Sequence, residues 1–92
     1  MAKRKATPLE RVHSNRLRHQ IEAKYNRITP NTPIKDLLNI IHSCADYLPA
    51  NEQYADGMMK DNVKTVRAIR QLVKEEYNRR LASWSIDLNS ED

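Results

Sequence analysis

Five residues decide how this 92-residue chain can be divided: Pro8, Pro30, Pro33, Pro49 and Gly57 are its only prolines and its only glycine. So few breakers cannot supply the turns of a β-sandwich or barrel. Between them lie three long stretches with helical apolar spacing. The expectation is an all-α, three-helix single domain: a helical hairpin plus a long C-terminal helix, bundle-like, with flexible N- and C-terminal tails. Its divisions are a basic tail over 1–6, a helical core over 7–84 and an acidic tail over 85–92.

Thr7-Pro8-Leu9-Glu10 is a capping box with proline at the first helical position, so the first helix starts at Thr7. Leu9, Leu17, Ile21, Tyr25 and Ile28 form its apolar stripe, and His13 fills the gap. Pro30 disfavours helical geometry in the residue before it and ends this helix near Ile28-Thr29. Thr32-Pro33 repeats the start signal. Ile34, Leu37, Leu38, Ile41, Cys44, Ala45 and Leu48, widened by Ile40 and Tyr47, predict a central second helix covered by both others, which Pro49 stops. Asn51–Asp56 reads as a short helical turn broken by Gly57. Met59, Val63, Val66, Ile69, Val73, Tyr77, Leu81 and Trp84 then stay in phase along one long helix. Leu17, Ile21 and Tyr25-Asn26-Arg27 are echoed 52 residues later by Ile69, Val73 and Tyr77-Asn78-Arg79. Chance is the plainer reading of the echo; the sharper one is two equivalent helices flanking the second, each with a Tyr and an Arg at the same end. Ser85–Asp92 has no periodicity and reads as disordered.

A chain of this length buries roughly 60–65% of its unfolded surface, enough for one marginal domain. No apolar run approaches the roughly 20 residues that span a membrane, and Thr7-Pro8-Leu9-Glu10 follows the basic start in place of a signal-peptide core. The single Cys44 excludes an internal disulfide and suits a reducing, cytoplasmic setting. His13, His19, His42 and Cys44 lack metal-ligand spacing, and Cys44 reads as a small buried hydrophobe. No phosphate loop, carboxylate pair or serine elbow is present, so neither enzymatic activity nor a cofactor is expected.

Charge is segregated. Residues 1–27 carry net +6, 28–62 net −3, 63–84 net +4 and 85–92 net −3, on a chain of net +4. Two basic segments around an acidic one point to a polyanionic or acidic partner. Lys3, Arg4, Lys5, Arg11, Arg16, Arg18, Arg67 and Lys74 are the candidate phosphate contacts. Lys60, Arg67 and Lys74 recur every seven residues along one helix edge. Arg70 interrupts the apolar stripe of the third helix. It is expected either to pair with Asp36 or Glu22 or, with Tyr77, Arg80 and Trp84, to face a protein partner.

Residues 5–48 resemble, in order, a basic helix-loop-helix DNA-binding domain. Glu10-Arg11, Leu17, Ile21, Ile28, the loop Thr29–Pro33, Ile40-Ile41 and Tyr47-Leu48 match its positions. The departures are His13 and Ser14 for two arginines, Ala6 for a base-contacting histidine, Pro8 inside the basic helix, and the stop at Pro49. Membership does not follow. The primary expectation is a small non-enzymatic regulatory protein that binds DNA or RNA through its phosphates. The alternative is a small protein-binding inhibitor or adaptor with an acidic partner surface, of the kind encoded by phages and plasmids. A homodimer is compatible with either.

Overall fold

A computed structural model describes the backbone of residues 3–90 and side chains as far as residue 83. Three helices follow in order: α1 Pro8–Asn26, α2 Ile34–Asn51 and α3 Gly57–Ser90. Ser14 and Asn15 of α1 meet Asn62 near the start of α3, while Arg80, late in α3, reaches the loop after α1. Glu52, just past the end of α2, pairs with Arg67. Hence α1 and α3 run parallel and α2 runs against both. Tyr25 and Tyr77 pack on the same core, at the shared end that their sequence echo suggests.

The amino-terminal box forms as its residues dictate. The Thr7 hydroxyl accepts from the Glu10 amide at 3.2 Å and the Glu10 carboxylate accepts from the Thr7 amide at 2.9 Å. The second start signal works differently. Pro33 is itself the cap position of α2, and the Thr32 hydroxyl instead accepts from the Thr29 amide at 2.8 Å, closing the α1–α2 loop. Pro49 does not stop α2, which continues to Asn51. In the last turn a proline forfeits only one helical hydrogen bond. The buried Asn51 side chain then donates to the Tyr47 carbonyl at 2.8 Å, securing that turn. Asn51 closes α2 and residues 52–53 form a single turn, after which Tyr54 is drawn into a bridge with Arg4, so no separate helical segment spans 51–56. Gly57 is the first residue of α3, not a break before it. With neither glycine nor proline after Gly57, the α3 backbone stays helical through Ser85–Ser90; Glu91 and Asp92 lie outside the described residues.

The α2–α3 interface is the most extensive, α1–α3 is next, and α1–α2 is the smallest. The helix that both others cover is therefore α3, not α2. Its length explains this. Thirty-four residues carry one unbroken ladder, of which Met59, Val63, Val66, Ile69 and Val73 are buried. On α2 the buried set is Leu37, Ile40, Cys44, Tyr47 and Leu48. The buried face is turned towards Ile40 and Tyr47, leaving Ile41 half-buried and Ala45 exposed. On α1, Leu9 is 82% exposed and His13 is exposed. The gap in the stripe is filled by Ser14, buried beside the Tyr47 hydroxyl at 2.5 Å. A second, smaller core joins Ala6, Tyr54 and Met59.

Cys44 is fully buried, as expected. Burial pushes its thiol up to about 11, with the Arg70 charge opposing the shift. Because the thiolate is the reactive species, Cys44 should resist a maleimide at pH 8 in the native protein and label fully in denaturant. Rapid labelling of the native protein would place it at the surface.

Candidate nucleic-acid interface

The basic residues divide into those consumed by the fold and those left to solvent. Arg4 pairs with Glu10 at 2.6 Å, Arg11 with Asp56 at 3.4 Å, Arg18 with Glu22 at 2.5 Å and Arg67 with Glu52 at 2.6 Å. Lys3, Lys5, Arg16 and Lys74 make no ion pair among the described residues. Half of the eight candidate phosphate contacts thus have internal partners, and the chain's basic character is less available than its composition suggests.

The amino-terminal segment is tied down as a strap. Its hub is Glu10, a helix-cap carboxylate whose two oxygens accept from both terminal guanidinium nitrogens of Arg4, at 2.6 and 2.8 Å. The Tyr54 hydroxyl donates to the same carboxylate at 2.6 Å. These donors, with the Thr7 amide, hold Glu10 well below the usual carboxylate range. The Arg4 guanidinium lies over the Tyr54 ring, 4.9 Å from its centroid, a cation–π geometry. The Ala55 amide donates to the Arg4 carbonyl at 2.8 Å. The Ala6 amide donates to Asp56 at 3.2 Å, and Arg11 donates to the Ala6 carbonyl at 3.1 Å. Residues 3–6 are therefore docked on the α2–α3 connection rather than free as a basic tail. Arg4 and Arg11 serve that docking.

The strap brings Lys3 to the start of a basic stripe on α3. Lys60, Lys64, Arg67, Gln71, Lys74 and Asn78 follow at alternating spacings of four and three, which keeps them on one flank of the helix. From Lys60 to Lys74 the stripe is about 21 Å long at 1.5 Å per residue. Lys60, Lys64 and Arg67 are exposed and Lys74 is half-buried. Two α3 carboxylates border the stripe: Asp61, three residues before Lys64, and Glu75, which accepts from Gln71 at 3.1 Å. Glu76 lies on another side, bound to Arg79 and Arg80. Lys64 was absent from the sequence-based set, although the four-then-three spacing from Lys60 signals it. Lys3, Lys60 and Arg67 line a cleft of about 260 Å³, with Glu52, Tyr54 and Val63 on its walls.

Two further clefts, of about 300 and 270 Å³, lie between α1 and α2, where helix contact is least. Their charge is mixed. Lys24 and Arg27 face Asp36 in one, and His13 and Lys24 face Asp46 in the other. Neither concentrates one sign as the α3 flank does.

Of the candidate protein-facing residues, Arg80 and Tyr77 are taken up by the fold. Arg80 donates to the Thr29 carbonyl at 2.8 Å, to the Thr32 carbonyl and to Glu76 at 2.8 Å, so it staples the α1–α2 loop to α3. Tyr77 packs half-buried against the core. The Trp84 side chain lies outside the described residues. Arg70 forms no ion pair with Asp36 or Glu22. Glu22 is taken by Arg18, and the Arg70 Nε is buried without a hydrogen-bond partner.

Among the described residues no group of three or more His, Cys, Asp or Glu is placed to hold a metal ion, and no helix is long and apolar enough to cross a membrane. No family model, curated protein or solved structure matches the chain.

Proposed function

We propose that this is a small non-enzymatic regulatory protein that binds nucleic acid by gripping backbone phosphates along the α3 flank. The observation that carries the reading is the alignment of Lys60, Lys64, Arg67 and Lys74 over about 21 Å of a single helix, with Lys3 at its end. Within the stripe Arg67 is paired with Glu52, whereas Lys60, Lys64 and Lys74 form no ion pair among the described residues. Lysine is a mobile point charge, not a planar fork, so it favours phosphate over base edges. The binding is therefore sequence-tolerant, driven by counterion release and steeply salt-dependent. A basic stripe on a rigid helix suits occupancy of a strand without chemistry upon it.

Fluorescence anisotropy across a salt series tests this with the variant Lys60→Gln/Lys64→Gln/Lys74→Gln. Arg67 is left in place to keep its bond to Glu52. The slope of log affinity against log salt should flatten by about 2.7 on duplex DNA, or by about 2.1 on a single strand. The melting curve should be essentially that of the parent, since these side chains form no ion pair among the described residues. Equal slopes for variant and parent would remove the stripe as the binding surface.

A further inference from the structure

We infer that the cleft at the amino-terminal end of the stripe is a pocket for a terminal phosphate monoester, and that the docked strap builds it. This rests on the nucleic-acid reading above and adds a ligand class to one end of it. Three separate parts of the chain make the cleft: Lys3 from the strap, Glu52 and Tyr54 from the α2–α3 connection, and Lys60, Val63 and Arg67 from α3. The rest of the stripe is a single convex helix flank. Only here does a second and a third wall turn the basic surface concave.

The charge of the pocket suits one kind of phosphate. Lys3, Lys60 and Arg67 stand against the single carboxylate of Glu52, leaving two net positive charges. An internal phosphodiester carries one negative charge. A terminal monoester carries about −1.5 to −2 at pH 7 and offers three acceptor oxygens. Arg67 directs one terminal nitrogen to Glu52, so its remaining N–H groups stay open to a ligand, in the fork that suits phosphate. Val63 and the ring of Tyr54, both buried, close the floor and keep water from one side of the ligand.

The strap fixes the third cation. The Ala55 amide holds the carbonyl of Arg4, the residue after Lys3, and Arg4 itself is locked between Glu10 and the Tyr54 ring. The Lys3 side chain is left exposed beside Lys60 and Arg67. Arg4 and Glu10 are thus positioning residues, and Lys3 is the contact they deliver.

The test compares one 12-nucleotide single strand, labelled at its 3′ end, with either a 5′-phosphate or a 5′-hydroxyl, against the full chain. The phosphorylated strand should bind about tenfold more tightly, the effect of roughly one net charge-assisted contact. Lys3→Gln should bring that ratio close to one. Inorganic phosphate at millimolar concentration should lower the ratio if the pocket takes any monoester. A ratio that survives such competition assigns it to strand ends. A parent ratio of one, or a ratio unchanged in Lys3→Gln, overturns the pocket. In either case a salt-dependent affinity that falls in the triple lysine variant still leaves the stripe standing. No binding of either strand or of duplex would sink the stripe reading itself.

Discussion

Replacing Leu37 with alanine should lower the unfolding free energy by about 2–5 kcal/mol, out of the roughly 5–15 kcal/mol typical of a whole domain. Leu37 has no exposed surface and belongs to the core that α2 shares with α3. Truncation there loses the transfer of the side chain out of water and leaves a cavity between two long helices that cannot close on it. The informative comparison is Ile41→Ala. By heptad spacing alone Ile41 looks as central as Leu37, but it is half-buried at the edge of the interface. Its loss should cost distinctly less, since solvent already reaches it and relaxation is easy. Urea unfolding followed by circular dichroism measures both. If Ile41→Ala proved the more damaging, α2 would have to be rotated from the orientation described.

The Ser14–Tyr47 pair should behave non-additively. Ser14 is almost fully buried, its hydroxyl is 2.5 Å from that of Tyr47, and the Asn62 amide approaches it at 3.4 Å while donating to Asn15 at 2.7 Å. Tyr47 in turn has its phenol pushed above the ordinary value, chiefly by burial. Ser14→Ala takes away the hydroxyl that the Tyr47 phenol pairs with and should cost about 1–3 kcal/mol; Tyr47→Phe should cost less, because the Asn62 amide still approaches the serine. Removing both leaves little buried polarity unpaired, so the double variant should be more stable than the sum of the singles implies. A strictly additive cycle would show that the two hydroxyls do not depend on each other.

What the sequence revealed follows from how local each signal is. The Thr7 box and the Met59–Val73 ladder are complete within a few turns of one helix, and both appear where their residues place them. Pro30 and Pro49 look alike in sequence, yet α1 ends at Asn26, earlier than the Ile28-Thr29 expected from Pro30, while α2 runs through Pro49 to Asn51. What differs at Pro49 is the buried amide of Asn51, which braces the last turn. The burial of Ser14 in place of His13 was hidden for a similar reason: its partner, Tyr47, is 33 residues away. Leu9 misled because it keeps the helical phase of α1 but sits where no second helix covers it. At the candidate site the positive charges were visible and their availability was not. Glu10 reads as a cap, which it is. Nothing in its neighbourhood announces that it also holds Arg4 and Tyr54. Arg70 invited a carboxylate on grounds of cost, but of the two expected partners Glu22 is claimed by Arg18 and Asp36 forms no ion pair with Arg70.

The strap also orders events in time. Glu10 meets Tyr54 across 44 residues and Ala6 meets Asp56 across 50. Helices nucleate from neighbours within a turn or two, whereas contacts this remote must wait for a long segment to close on itself. On a growing chain the first residues have nowhere to settle until those past Tyr54 have emerged. The cleft beside Lys3 is in consequence assembled late, and local opening at the amino terminus is enough to dismantle it. The α3 flank has no such dependence, because its spacing is written into one helix. On the proposed reading, grip along a strand and recognition of its end would therefore be separable by partial unfolding, with the second lost while the first persists.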